Sequence, residues 1–385
     1  MNRSDVLIMP LGGGGGRLGD SILNQDPRFQ GFFVNTSMTD LENCENVNTK
    51  INNYYCISTQ NGVGRDRELG KDYASQYGYS ILDMISKYQQ RVIWMVVSFG
   101  GGSGSAILSV LLEAIEQLGG INKTINLIGI LPNLSSPDVI LSNTIDTWSE
   151  IIASKCINSM MFVSNDAFSE IYDNENDKEL AINESFANSF NAIFDIPEIN
   201  GIKFDNGNLT NLLCDKGCLY FYDLPSGLQS VQVALRKAEQ HSVLARMYKT
   251  DRNTRLLEDG TKAIECGYLG ISFNDEDYKS SYIEDVFKSK RETYIGINDS
   301  KNLVLLSGCL PPVNVINTIS YELEDRAKRK NNKEDIDYSQ FIVKKKSEVS
   351  VDRAETPYQN EKTIQTRSGN KIVQKAMKKN LFKRP

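Results

Sequence analysis

Residues 91–108, RVIWMVVSFGGGSGSAIL, decide how this chain is read. Residues 92–97 form an unbroken apolar, largely β-branched run, the pattern of a strand buried on both faces. Four glycines in five positions follow, and then residues 106–118 carry the apolar pattern of a helix. A strand that passes through glycines into a helix N-terminus is a phosphate cradle. Without Cβ atoms the backbone N–H groups can turn toward an anion and let it approach. Ser103 is placed to cap the helix and to offer a hydroxyl to a phosphate oxygen. An ordinary strand-to-helix turn needs one or two glycines, and this one has Gly100, Gly101, Gly102 and Gly104.

A second glycine run lies near the start. Residues 5–10, DVLIMP, read as a short buried strand, and LGGGGGRLGD (11–20) follows. Alone, Gly14-x-Gly16-x-x-Gly19 fits a dinucleotide-binding fingerprint, with Asp40 or Glu42 at a suitable distance for a ribose hydroxyl. That opens the reading of a Rossmann-type, nucleotide-dependent oxidoreductase. Such an enzyme has no use for another cradle about 85 residues later. Two glycine turns from different strand ends instead wrap both sides of one triphosphate.

The motif GGGSGS (100–105) resembles the GGGTGTG/GGGTGSG signature of the tubulin/FtsZ superfamily, with serine for threonine. The resemblance implies an α/β fold with a Rossmann-like GTPase domain at 1–177 and a central connecting helix at 178–200. It places a smaller α+β second domain at 201–310, a long C-terminal helix at 311–346 and a flexible basic tail at 347–385. It implies GTP/GDP with Mg²⁺ as cofactors. Gly12, Gly13, Gly14, Gly15, Gly16 and Arg17 would then meet the phosphates from one side. Gly100, Gly101, Gly102, Ser103, Gly104 and Ser105 would meet them from the other. NTSMTDL, starting at Asn35, resembles the family's loop after the second strand. Residues 62–71, GVGRDRELGK, resemble its third loop, which faces the γ-phosphate and contributes Gly64 and Asp66. Charged residues replace that loop's alanine and proline.

Further along, 132–138 occupies the place of the ribose loop, with Ser136 and Asp138 as positional candidates. Asn165-Asp166 resembles the strand-end pair whose asparagine reads guanine, an amide offering donor and acceptor together; a plain helix N-cap competes for Asn165. On the connecting helix the resemblance makes Phe186 the candidate to stack on the base, with Asn183, Asn188 or Asn191 to bond it; a packing or surface role is the alternative for each. Residues 203–213, KFDNGNLTNLL, resemble the segment that enters the neighbouring subunit's nucleotide site. There Asp205 is the candidate catalytic acid, and Asn208 stands where the family has a second aspartate. An Asx-rich turn capping a helix is the alternative for both.

Periodicity supplies the remaining elements. Strands are expected at 31–36, 125–131, 159–164, 217–224, 265–273, 292–298 and 303–307. Helices are expected at 68–88, 139–155, 179–194 and 228–248. A last helix runs from Pro311-Pro312 to about 331, with Val313, Ile316, Ile319 and Leu323 as its apolar face.

Composition narrows the classes. At 385 residues, 40% hydrophobic and 24% charged, the chain suits a soluble two-domain protein. No apolar run is long enough to span a bilayer and no signal-peptide pattern opens the chain, so a cytoplasmic protein without membrane contact is expected. Seven scattered cysteines point to reduced thiols, and a single histidine, His241, excludes Ser-His-Asp and His-metal chemistry. No resident protein-held metal site is expected. Residues 362–385 hold eight Lys/Arg and no Asp/Glu, leaving 35 basic against 49 acidic residues before them. An acidic body with a basic tail meets a partner through that tail. Lysines among Ile372, Val373, Ala376, Met377 and Leu381 suit a basic amphipathic helix formed on a partner.

Within the superfamily, a long C-terminal helix with a basic tail resembles the TubZ group, the plasmid- and phage-borne partition tubulins. That implies a head-to-tail filament of the chain itself. It also implies a DNA-bound, TubR-like adaptor gripping the tail, with DNA engaged indirectly. A phage spindle tubulin or a divergent cell-division tubulin is the alternative.

Overall fold

In the computed structural model the described residues are 1–57, 62–201, 203–227, 230–257, 262–274, 277–298 and 301–331. The expected tail at 347–385 and the distal part of 311–346 lie outside them. The two glycine-bearing units come first. β1 (Val6–Leu11) leads into α1 (Gly12–Leu23), followed by β2 (Gln30–Gly31), β3 (Phe33–Asn35), α2 (Met38–Glu42) and β4 (Tyr54–Cys56). Next come α3 (Arg67–Ser75), α4 (Gly78–Ser86), β5 (Val92–Ser98) and α5 (Ser103–Gln117). The alternation continues through β6 (Thr124–Leu131), α6 (Asp138–Ala153), β7 (Ile157–Ser164) and the 19-residue α7 (Glu175–Ile193).

Two short helices, α8 (Ile196–Asn200) and α9 (Asn206–Leu213), lead to β8 (Gly217–Leu224) and α10 (Val231–His241). The rest is β9 (Thr254–Leu256), β10 (Lys262–Cys266), β11 (Leu269–Phe273), α11 (Ser280–Val286), β12 (Phe287–Ser289), β13 (Thr293–Ile297), β14 (Asn302–Cys309) and α12 (Val313–Asn331).

Among the described residues eleven strands join in one sheet, ordered β13-β11-β14-β8-β7-β6-β5-β1-β3-β4 with β2 beside β1. From β4 to β8 all pairings are parallel, and β14 then pairs antiparallel with β8 and β11. Parallel strands covered on both faces must be apolar throughout. All six residues of β1 are buried, as are the first six of β5. β1 and β5 lie side by side with Leu11 opposite Val97. β1 passes through α1 to β2 and β3 on one side, and β5 passes through α5 to β6 on the other. Strand order therefore reverses between them, and ligands of open α/β sheets bind in the crevice at the carboxyl ends of such strands.

α7 lies against this sheet through Ile182, Phe186, Phe190 and Ile193, each 0% exposed and spaced three or four residues apart. Phe190 meets Trp94 of β5 edge-on, with centroids 5.6 Å apart. The helix expected at 68–88 is two, because the chain breaks at Tyr77 and α4 begins at Gly78. A Cβ there would stand 3.1 Å from Val110 of α5. The strand expected at 265–273 is also two, parted at Gly267, where a Cβ would overlap the Asp215 carboxylate. None of the seven cysteines is in a disulfide. No helix among the described residues is long and apolar enough to cross a membrane.

Candidate functional site

The two glycine turns are helix starts rather than loops. α1 begins at Gly12 and α5 at Ser103, each without a side-chain cap, so the first-turn N–H groups of both helices are unclaimed by capping side chains. Gly102 is the N-cap of α5, and the Ser103 hydroxyl lies 2.6 Å from that of Thr36 instead. The expectation that Ser103 caps the helix is thus corrected. The glycines divide into two kinds. A Cβ on Gly12, at φ +69°, would stand 2.6 Å from the Gly104 nitrogen; one on Gly104 would stand 2.4 Å from the Leu11 carbonyl. Gly15 faces the Val96 carbonyl and Gly102 the Arg65 backbone just as closely. Gly12 and Gly104 let the two turns touch, whereas Gly15 seats α1 on β5 and Gly102 meets the loop before α3. Gly14, Gly100 and Gly101 line a cleft of about 290 Å³, the first two also packed closely against Ser98 and Ile140. A Cβ on Gly101 would meet nothing nearer than the Ser98 carbonyl at 3.4 Å.

Several further segments complete the cleft's walls. Arg17 on α1 and Arg65 on the loop before α3 bring positive charge, and Arg65 sits at φ +70°. Pro132, Asn133 and Ser136 come from the loop after β6, and Asn165 from the turn after β7. The start of α7 adds Glu175, Asn176, Lys178, Glu179 and Ile182. Arg17 pairs with Glu179 at 2.6 Å, joining α1 to α7. Lys178, only 3% exposed, pairs with Glu175 at 2.8 Å. Burial pushes the nearby Asp166 carboxyl above its usual range, against the pull of the Lys178 charge. A larger hollow of about 850 Å³ opens between the 45–53 segment and Tyr88, but neither glycine turn reaches it.

Buried polar contacts hold these walls. The Ser105 hydroxyl donates to the Gly101 carbonyl. The Asn143 amide donates to the carbonyls of Arg65 (3.0 Å) and Gly100 (3.3 Å), tying the 62–66 loop to the glycine turn. Behind them Glu150 on α6 accepts from Arg67 and Lys71 of α3 and from Ser109 of α5. Burial alone would raise the Glu150 carboxyl, but these donors outweigh it and hold it at about 2. On the far side of the 132–137 loop stands Arg326 of α12. It donates to the carbonyls of Leu134 and Ser136 and to the Asp138 carboxylate.

Of the residues expected from sequence, Gly14, Arg17, Gly100, Gly101 and Asn165 line this cleft, as does Ser136. Asn165 lies in a turn and caps no helix. Gly12 and Gly104 serve the contact between the turns, Gly15 the contact of α1 with β5 and Gly102 the contact with the 62–66 loop, while Gly13 and Gly16 approach Asp40 and Cys44. Ser105 is buried and braces the turn rather than facing the cleft. Asn35 is buried, its side-chain oxygen accepting from the backbone of Thr36 and Ser37. Gly64 supplies a turn at φ +58°, and Asp66 caps α3 by accepting from Leu69 N at 3.0 Å.

Phe186 is corrected. It is fully buried, stacked on Phe190 and packed near Phe221 on the sheet side of α7, so no base can reach it. Nor does Asn191 face the cleft, because it binds Arg3. Sequence reasoning missed Arg65, the acid–base pairs at the start of α7, Asn143 and Arg326. Only Arg65 carried a signal, as a cation inside a glycine loop.

Asp205 and Asn208 stand elsewhere. Asp205 is exposed and is the N-cap of α9, accepting from Asn208 N at 2.8 Å, while Asn208 Oδ1 accepts from Asp205 N at 3.0 Å. The next residue's carbonyl takes a hydrogen bond from Met1, ahead of β1, and the α9 carbonyl of Leu213 takes one from Asn126, near the start of β6. α9 therefore sits at the amino ends of the strands. The cleft sits at their carboxyl ends, a strand length or about 20 Å away for six residues.

Residues 5–173 match the Tubulin/FtsZ family, GTPase domain. Over 374 residues the chain is 26% identical to a tubulin-like protein TubZ of Clostridium botulinum C phage, covering 92% of this chain and 96% of that one. Among solved structures it is similar to the C-terminal-tail-truncated TubZ of Clostridium botulinum phage c-st. There the TM-score is 0.72 at 24% identity, with 85% of this chain and 99% of that one covered. It is also similar to TubZ of Bacillus thuringiensis serovar israelensis in a GTPγS-form protofilament. That match has a TM-score of 0.66 at 15% identity, covering 85% and 92%.

Proposed function

We propose that the chain is a GTP-hydrolysing member of the tubulin/FtsZ family, a reading supported by the match of residues 5–173 and by the TubZ relative, and that it forms GTP-dependent filaments that move or position plasmid or phage DNA. One observation carries the proposal. Two glycine helix starts meet in a single cleft at the carboxyl ends of β1 and β5, while Asp205 stands exposed at the opposite ends of the strands.

In this reading the triphosphate lies along Gly14, Gly100 and Gly101, met by first-turn N–H groups of α1 and α5 and by the charges of Arg17 and Arg65. The start of α7 and Asn165 take the guanosine end. Among the described residues no group of three His, Cys, Asp or Glu gathers for a metal ion. Mg²⁺ accompanying the triphosphate would be held mainly by phosphate oxygens and waters, as that ion prefers. No P-loop lysine motif is present in the chain. Hydrolysis is completed by Asp205 of the next subunit, which orients a water toward the γ-phosphate and accepts its proton. A head-to-tail contact that does not close generates an open filament. GTP binding and assembly are thereby coupled, and hydrolysis loosens the contact that enabled it.

The basic segment at 362–385 is the handle for a DNA-bound adaptor in a bacterial host cytoplasm. The test is to identify the nucleotide that copurifies and to compare sedimentation and electron micrographs with GTP and with GDP. Guanine nucleotide and GTP-dependent polymer are expected. Bound NAD or FAD, or no polymer under GTP, overturns the proposal.

A further inference from the structure

The 132–137 loop lends Pro132, Asn133 and Ser136 to the cleft, yet it is neither strand nor helix. Asn133 organises it from within: its side-chain oxygen accepts from Ser135 N at 2.6 Å and its carbonyl from Ser136 N at 3.0 Å. From outside, one guanidinium holds it. Arg326 donates from one nitrogen to the Ser136 carbonyl (2.8 Å) and Asp138 (3.1 Å), and from another to the Leu134 carbonyl. Its Nε meets Glu322 one turn earlier on α12 at 2.7 Å. A planar fork with five donors can span these oxygens at once, and no other cationic side chain can. The helix carrying it is itself anchored, with Ile319 fully buried and α12 packed on α6. The loop's position is thus fixed from the C-terminal helix.

We propose that Arg326 is a positioning residue for the nucleotide: through it α12 holds the 132–137 loop against the cleft and so sets how long the nucleotide stays. This rests on the nucleotide reading given above. Arg326 does not line the cleft, so its effect on a ligand passes through the loop. Linkage makes the effect reciprocal: whatever biases α12 changes nucleotide affinity by the factor by which nucleotide biases α12.

The experiment uses the full chain and stopped-flow release of a fluorescent GDP chased with unlabelled GTP. Alongside it run turnover at saturating GTP and the unfolding midpoint without nucleotide. Arg326→Gln is expected to release GDP about five- to tenfold faster. Turnover at saturating GTP should rise or hold level and not fall, because product leaves faster and no cleft-lining side chain is changed. Arg326→Lys is expected not to restore slow release, because a point charge cannot bridge two carbonyls and a carboxylate. Asp138→Asn, which leaves the carbonyl contacts intact, should release GDP at a rate between wild type and Arg326→Gln, and it carries the test if the Arg326 variants do not fold. Release at the wild-type rate in these variants, with or without a lower unfolding midpoint, reduces α12 to packing and overturns the inference. Failure of the wild type to bind GDP would instead sink the nucleotide reading and this inference with it.

Discussion

Replacing Gly101 by valine separates the two jobs that glycines do here. A Cβ at Gly101 faces the cleft, meets only the Ser98 carbonyl at 3.4 Å, and sits on backbone whose φ is not positive. The fold should therefore accept it. The rest of the side chain occupies the space a phosphate needs. Losing one hydrogen bond between the backbone and a charged phosphate costs about 1.5–3 kcal/mol, or roughly 10- to 150-fold in Kd. The control is Gly104→Val, whose Cβ would stand 2.4 Å from the Leu11 carbonyl, inside contact distance of rigid backbone. Overpacking of that kind costs about 1–3 kcal/mol or more of fold stability. Fluorescent GTP titration beside thermal unfolding should show Gly101→Val folded with weak binding, and Gly104→Val with a clearly lower unfolding midpoint. Normal GTP affinity in folded Gly101→Val would place the phosphate elsewhere and refute the reasoning.

Other perturbations test the remaining parts. Because Asp205 caps α9, Asp205→Asn is the cleaner change: it keeps the cap but removes a base worth ~10²–10⁴-fold in rate. GTP binding and assembly should persist with very slow turnover per unit polymer, and wild-type turnover would leave Asp205 as a cap alone. Truncation after Lys346 should spare polymerisation and GTP turnover but abolish cosedimentation with adaptor–DNA complexes, whose binding to the full chain should weaken with salt; loss of assembly would make the tail a polymer contact. Glu150, held at about 2 against its usual 4.5, contributes stability that is present above pH 4.5 and lost as pH falls toward 2. The unfolding midpoint should drop across that window, and Glu150→Gln should flatten the drop; an unchanged profile would remove the Arg67–Lys71 contacts from the account.

The fold was legible because its signals are local. A strand buried on both faces must be apolar along its length, and β1 and β5 declare themselves as such. A backbone that must approach another backbone needs glycine, so both turns are visible without any partner. The spacing of Ile182, Phe186, Phe190 and Ile193 likewise announces a buried helix face. Which face, and against what, is not local. Phe186 reads as a base platform or a core residue, and only the docking of α7 on the sheet, with Phe186 against Phe190 and Phe221, decides for the core. Glycines look alike in sequence, yet three line the cleft while others keep α1 and α5 in contact. Arg326 lies 190 residues from the Ser136 carbonyl it holds. Sequence alone thus determined the elements, the family resemblance and the two anion-ready turns, since each follows from the chemistry of consecutive residues. Tertiary structure decided the direction each side chain faces and which distant charge closes each polar contact, because those depend on how separate elements pack.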